Sequence, residues 1–168
     1  MDKKLEKAFN EQINAELYSE YLYLVMKTYF KKKNLSGFAN WFKIQMMEER
    51  AHGMGMYEYL IERGGNVEFH DIKKPEMKGK TIVEIFEEVL EHEKWVTANI
   101  NALIDTAEEV HDRAAVSFLD WYLKEQVEEE ANVGRLIETI KFIESDKVAL
   151  FMFDKELKAR VFHAPEIG

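Results

Sequence analysis

Proline occurs only twice in this chain of 168 residues, at Pro75 and Pro165. Inside a helix it removes a backbone hydrogen bond and clashes with the preceding turn. With one proline near the middle and the other in the tail, most of the chain is free to run as long, unbroken helix. Apolar residues in those stretches recur every three or four positions, which is the helical period and not the strand period of two. Glu, Lys, Leu and Ala, all good helix formers, are abundant within an ordinary balance of 46% hydrophobic and 33% charged residues. The expectation is an all-α fold of one domain, long enough to bury a sizeable core.

The first segment spans about Lys3 to Lys33, with Leu5, Phe9, Ile13, Leu17, Tyr21, Leu24 and Thr28 as its predicted stripe. Lys31–Lys33 suit the C-terminal end of a helix dipole, and Asn34 can cap it. The second begins at Ser36, a candidate N-cap, and stops at Gly64–Gly65. Its stripe is Phe38, Trp41, Phe42, Gln45, Glu49, His52, Met56, Tyr59 and Leu60. A link of a few residues makes these two helices antiparallel neighbours. Residues 66–80, with Pro75, Gly79 and an extended Val67-Glu68-Phe69 patch, are far longer than a tight turn needs. Extended, they reach roughly 50 Å against the roughly 45 Å of a thirty-residue helix, so they can cross the whole length of a bundle. A third segment opens on a Thr81–Glu84 capping box and runs to about Val110. A fourth runs from about Asp112 to Glu144, and a short fifth from about Asp146 to Arg160. The predicted architecture is a four-helix bundle with one long crossover connection (residues 1–145) and a short fifth C-terminal helix with its tail (146–168) in the same domain.

One pattern occurs twice, eighty positions apart. Phe38, Trp41, Phe42, Glu48, Glu49 and Ala51 lead into His52, and Phe118, Trp121, Tyr122, Glu128, Glu129 and Ala131 lead into Asn132. Glutamates are thereby carried to mid-helix among large rings, and Glu49 with His52 forms an i, i+3 carboxylate–imidazole pair on one face. Alone, such a pair reads as a surface contact. Antiparallel packing adds a height constraint. Glu16 lies about 18 residues before the first turn, and Glu49 and His52 about 15 to 18 after it. Glu93 lies about 18 before the second turn, and Gln126 and Glu129 about 15 and 18 after it. Each of four helices thus delivers a polar group to one layer among apolar neighbours. Clustered acids there repel and resist ionisation unless cations compensate them, and two divalent irons would do so.

The remaining composition narrows the chemistry. A formal charge of −9 disfavours nucleic acid and anionic membranes as partners. The absence of cysteine excludes disulfides, thiolate metal sites and cysteine nucleophiles, so bound iron would need oxygen and nitrogen ligands or a haem. No apolar run approaches membrane-spanning length and the MDKKLEKAF start is charged, so a cytoplasmic location is expected.

Asn14-Ala15-Glu16 with Tyr21-Leu22-Tyr23, Glu48-Glu49-x-x-His52, His92-Glu93, the run Glu125–Glu130, and Asp154-Lys155-Glu156-Leu157 together resemble a ferritin of the bacterial and archaeal non-haem type, along essentially the whole chain. That resemblance implies an iron-storage protein with ferroxidase activity, oxidising Fe²⁺ with O₂ at an intrasubunit di-iron site and depositing ferric mineral inside a hollow shell, with 24 subunits as the homo-oligomer. It implies that Glu16, Glu49 and His52 hold one iron. Glu49, Glu93 and a fourth-helix group (Gln126 or Glu129) would hold the second. Tyr23 would lie close by as an electron donor, and Glu48, Glu125, Glu128 and Glu129 would form a third iron site. The second copy of the motif ends in Asn132 where a second histidine would make the site symmetric, so unequal iron affinities are expected. Arg50 stands where bacterioferritins carry a haem-ligating methionine, so no haem is expected. Two other readings remain open at this level, a metal-free structural bundle and a di-iron oxidase acting on an organic substrate. His92 reads as a surface residue.

Overall fold

The computed structural model describes residues 1–167 as five helices, with no strand among them. They are α1 (Lys3–Lys32), α2 (Ser36–Glu62), α3 (Ile82–Glu109), α4 (Arg113–Ile143) and α5 (Lys147–Leu157). α1 packs along α2 and α3 along α4, α1 meets α3 across the bundle, and α5 lies against α2 and α4. Asn34 and His111 make the two tight turns with φ of 59° and 58°, the left-handed region that reverses a chain after a helix. The Thr81–Glu84 capping box forms as expected, and Asp112 and Asp146 cap α4 and α5.

The crossover is tied to α1 by a matched spacing. Asn10 donates to the carbonyl of Asn66 and accepts from the Glu68 amide, and Asn14 donates to the carbonyl of Glu68 and accepts from the His70 amide, all at 2.7–2.8 Å. Four helical residues rise about 6 Å, and two extended residues span about the same. Two asparagines one turn apart can therefore serve an extended strand that has no sheet partner. Near the other end of α1, Tyr29 donates to the carbonyl of Lys80. The segment thus runs the length of α1.

Two apolar clusters fill the bundle with a gap between them. One holds Tyr23, Met26 and Phe30 of α1, Phe38 and Phe42 of α2, Phe86 and Val89 of α3, and Val133 to Ile140 of α4. The other holds Leu5 to Ile13, Met56 and Leu60, Val96 to Ala107, and Ala115 to Tyr122. Glu16, Gln45, Glu49, His52, Glu93, Gln126 and Glu129 are buried in the gap. The functional layer is therefore a polar slice through an apolar column.

Two local expectations change. Tyr21, Leu24 and Thr28 face outward, and the buried line of α1 instead passes through Glu16, Ser19, Tyr23, Met26 and Phe30. The march of apolar letters missed it because the stripe crosses the polar layer at Glu16 and Ser19. Ser36 does not cap α2, which has Leu35 at its N-cap and no cap of its own. Asp154 of α5 does that work, accepting from the amides of Gly37 (2.8 Å) and Phe38 (3.0 Å). The close approach requires glycine, since a Cβ at Gly37 would lie 1.5 Å from the Asp154 carbonyl oxygen.

Candidate metal centre

α1 and α2 bring Glu16, Glu49 and His52 together, with one ligand atom from each lying within 4.8 Å of the others. Bonds of about 2.1 Å to one ion put neighbouring ligand atoms about 3–3.4 Å apart, so the three side chains would close in by up to about an ångström to enclose it. One glycine and two hydrogen bonds support the placement. Gly53 faces Glu16, where a Cβ would come within 3.2 Å of its side chain. Tyr122 donates to the His52 carbonyl at 2.9 Å, fixing the helix that carries the imidazole. Gln12, one turn before Glu16, donates to its Oε1 at 2.7 Å. The other oxygen, Glu16 Oε2, is buried without a partner, as are His52 Nε2 and Gln45 Oε1. Orphaned buried polar atoms are costly, and a cation among them satisfies acceptors that no donor reaches.

The opposite half comes from α3 and α4. Glu93 accepts from the Tyr23 hydroxyl and from Gln126 Nε2, the latter at 3.1 Å. Gln126 Nε2 also reaches the Glu93 carbonyl and Thr97 Oγ1, so its amide group is turned toward α3. Glu129 accepts from Gln45 Nε2 at 2.9 Å, which spans α2 and α4.

Protonation follows from burial. It raises Glu16 and, more strongly, Glu49, which also feels the charges of Glu93, Glu16 and Glu129. Burial likewise raises Glu93 to about 7 and Glu129 to about 8. It lowers His52 to about 4, so the 3.9 Å approach of Nδ1 to Glu49 is not an ion pair near neutral pH. A neutral imidazole is the form that binds metal. Tyr23 is pushed well above 10, first by burial and then by Glu93, so it stays a phenol. Four buried carboxyls and one neutral imidazole form a hard oxygen-rich donor set of the kind that suits iron.

Beside this layer, Glu48 faces the flank of the bundle and pairs with Arg160 Nη2 at 2.7 Å. Glu125 is half-buried, raised by burial and then by the charges of Glu128 and Glu48, while Glu128 is exposed. Sequence reasoning did not single out Gln12, Gln45 or Arg160 as site residues. The first two sit four positions before Glu16 and Glu49, a same-face spacing that would have revealed them. Nothing in the sequence links Glu48 to a residue 112 positions away. His92 is not a free surface residue. Its Nε2 lies 2.8 Å from Ser19 Oγ, its ring lies edge-on to Tyr23 and stacks on Trp95, and burial lowers it to about 4.

The family model described as "Ferritin-like domain" matches residues 6–143. Bacterial non-heme ferritin of Staphylococcus aureus is 38% identical over 162 residues, covering 96% of this chain and 98% of that protein. The Bacteroides fragilis protein of the same name is 39% identical over 160 residues, covering 95% and 99%. Among solved structures, a humanized archaeal ferritin superposes with a TM-score of 0.95 at 45% identity, covering 97% of this chain and 99% of that one. An open-pore ferritin from Archaeoglobus fulgidus gives 0.93 at 43% identity, covering 96% and 99%.

Proposed function

The chain belongs to the ferritin family, whose members store iron in hollow protein shells, and from that premise we propose that it is a ferroxidase that oxidises Fe²⁺ with O₂ inside each subunit. The carrying observation is the buried slice of Glu16, Glu49, His52, Glu93 and Glu129 between two apolar clusters, with Glu16 Oε2 left unpartnered. Glu16, Glu49 and His52 hold one iron. Glu49, Glu93 and Glu129 hold the other, with Glu49 between them, which accords with the field it feels from Glu93, Glu16 and Glu129. Gln126 donates to Glu93 and so orients this ligand, leaving the fourth-helix oxygen to Glu129.

Iron is substrate here, and charge balance sets its course. Four carboxylates neutralise two Fe²⁺, so ferrous iron displaces the protons that burial holds on Glu93 and Glu129. Each ferrous ion gives one electron, and O₂ takes both with two protons to become hydrogen peroxide. Carboxylate oxygens favour Fe³⁺ over Fe²⁺ and thereby assist the loss. Afterwards the site holds two more positive charges than it has carboxylates. Glu48, Glu125 and Glu128 on the flank, with Glu129 shared between the two places, form the third site that draws iron onward toward the mineral. Tyr23, hydrogen-bonded to Glu93, is the proposed electron donor where reduction goes on to water, its one electron joining one from a third Fe²⁺ to take hydrogen peroxide and two protons to two waters.

Twenty-four subunits would enclose the mineral. Phe142 on α4 and Val148, Phe151 and Met152 on α5 are exposed apolar residues clustered in sequence at one end of the chain, as expected of a subunit that buries them on assembly. No helix is long and apolar enough to cross a membrane, and action in the cytoplasm is part of the proposal.

Aerobic addition of Fe²⁺ to the purified protein tests the reading. A fast rise in ferric absorbance should saturate at two irons per subunit, on a particle whose mass corresponds to 24 chains. Glu49→Ala should lose the fast phase and keep the particle. An unchanged fast phase in that variant would refute the site.

A further inference from the structure

We propose that Arg160 is a displaceable internal counter-ion: its guanidinium holds Glu48 until iron takes its place, and this exchange sets the affinity of the flanking site. The inference rests on the function proposed above and adds to it a residue outside the bundle that controls one step.

Arg160 is delivered to its position with some precision, although it lies beyond the last helix. Asn40 of α2 donates from one Nδ2 to the carbonyls of Leu157 (3.2 Å), Lys158 (3.4 Å) and Arg160 (2.9 Å), pinning the backbone on which the guanidinium is carried. The side chain then lies over the Trp41 ring, 5.2 Å from its centroid, and reaches Glu48 Oε2 at 2.7 Å. Its field extends to Glu129. An aromatic face and a carboxylate thus share one cation.

Three observations make this a latch and not a fixed strut. First, the pair is partly open to water, with side chains 27% and 18% exposed. Such pairs are weak, and a cation can compete for them. Second, a cavity of about 360 Å³ adjoins it, lined by Trp41, Gln45, Asn132, Arg135, Leu157 and Arg160 among others. The guanidinium can turn there on the Trp41 face, and the like charge of Arg135 makes that position second best until a cation occupies Glu48. Third, one positive charge does not neutralise the flank. Glu125 still feels both Glu48 and Glu128, and the remaining negative charge favours an ion of charge two or three over a single delocalised one.

The test uses assembled, metal-stripped protein, titrated with Zn²⁺ by calorimetry, Zn²⁺ being divalent and without redox chemistry. Wild type should show a two-metal event and a further, weaker event that Glu48→Gln removes. In Arg160→Gln that weaker event should tighten about two- to fivefold, the weight of one partly exposed ion pair. Arg160→Lys, which restores the charge, should return toward wild type. In a Trp95→Phe/Trp121→Phe background Trp41 is the sole tryptophan. Its fluorescence should then change during the weaker event, and not in the Arg160→Gln version. A weaker event that is unchanged or weakened by Arg160→Gln, or that is absent from wild type, overturns the latch. Loss of the two-metal event would instead count against the function proposed above.

Discussion

Stripped of metal, the protein should lose the stability that protonated Glu93 and Glu129 supply as the pH rises from 5 to 8, read against a Glu93→Gln/Glu129→Gln variant, and metal should reverse the loss. Glu93 is 1% exposed and Glu129 4%, so solvent does little to screen either. Burial raises them from 4.5 to about 7 and from 4.5 to about 8. A carboxyl that holds its proton more tightly in the folded chain than in the unfolded one stabilises the fold while protonated. That contribution is whole below 4.5 and is lost as the pH climbs through about 7 and about 8. At about 1.4 kcal/mol per tenfold change in proton affinity, Glu93 alone accounts for about 3 kcal/mol and Glu129 for about 5. Glu93 raises Glu129, so the joint effect is smaller than the sum, about 5 kcal/mol. With a urea dependence of about 2 kcal/mol per molar, the midpoint should fall by about 2.5 M relative to that double variant; His52 and His92, which burial lowers to about 4, gain stability over the same range and cancel from the comparison. The assay is urea unfolding followed by circular dichroism, at fixed protein concentration with chelator present. Surface repulsion from the net charge of −9 acts in the same direction, but salt of about 0.5 M screens it and leaves the buried effect. Glu93→Gln keeps the shape without the charge and should remove about half of that difference. In high salt, a midpoint whose pH dependence is the same in wild type and in the Glu93→Gln/Glu129→Gln variant, or an unaltered slope in Glu93→Gln, would refute the buried-acid account.

Other expectations follow from single contacts. Gly37→Ala should force α5 off α2, because the new Cβ meets backbone at 1.5 Å, with a loss of about 1–3 kcal/mol and faster proteolysis near residues 147–160. Asp154→Ala should cost about 1–3 kcal/mol through two lost amide bonds, read as a lower melting temperature, while Ser36→Ala should change it little. Asn10→Ala should free the crossover, raising hydrogen exchange at the Glu68 amide and costing about 1–3 kcal/mol. His111→Gly should be stabilising by about 0.5–1 kcal/mol, since glycine accepts the φ of 58° without strain, and an unchanged or lower melting temperature would contradict that reading.

The sequence determined the helices and the height of the polar layer. Scarce proline, apolar spacing and the Thr81–Glu84 box are local signals, and antiparallel packing turns residue counts into equal heights at Glu16, Glu49, Glu93 and Glu129. Gln12 and Gln45 were legible in principle, because a same-face spacing of four positions is local too. What only the tertiary structure decided lies where the partner is remote along the chain. Asp154 caps a helix that begins 118 positions earlier, at Ser36, and Arg160 meets Glu48 across 112 positions. The buried line of α1 shifts to Ser19 and Tyr23, with Tyr23 committed to Glu93. A helical period fixes which residues share a face, but which neighbour that face meets depends on how the helices and the tail dock. That docking is set by shape and by buried polar pairs between distant segments, and neither leaves a periodic trace in the sequence.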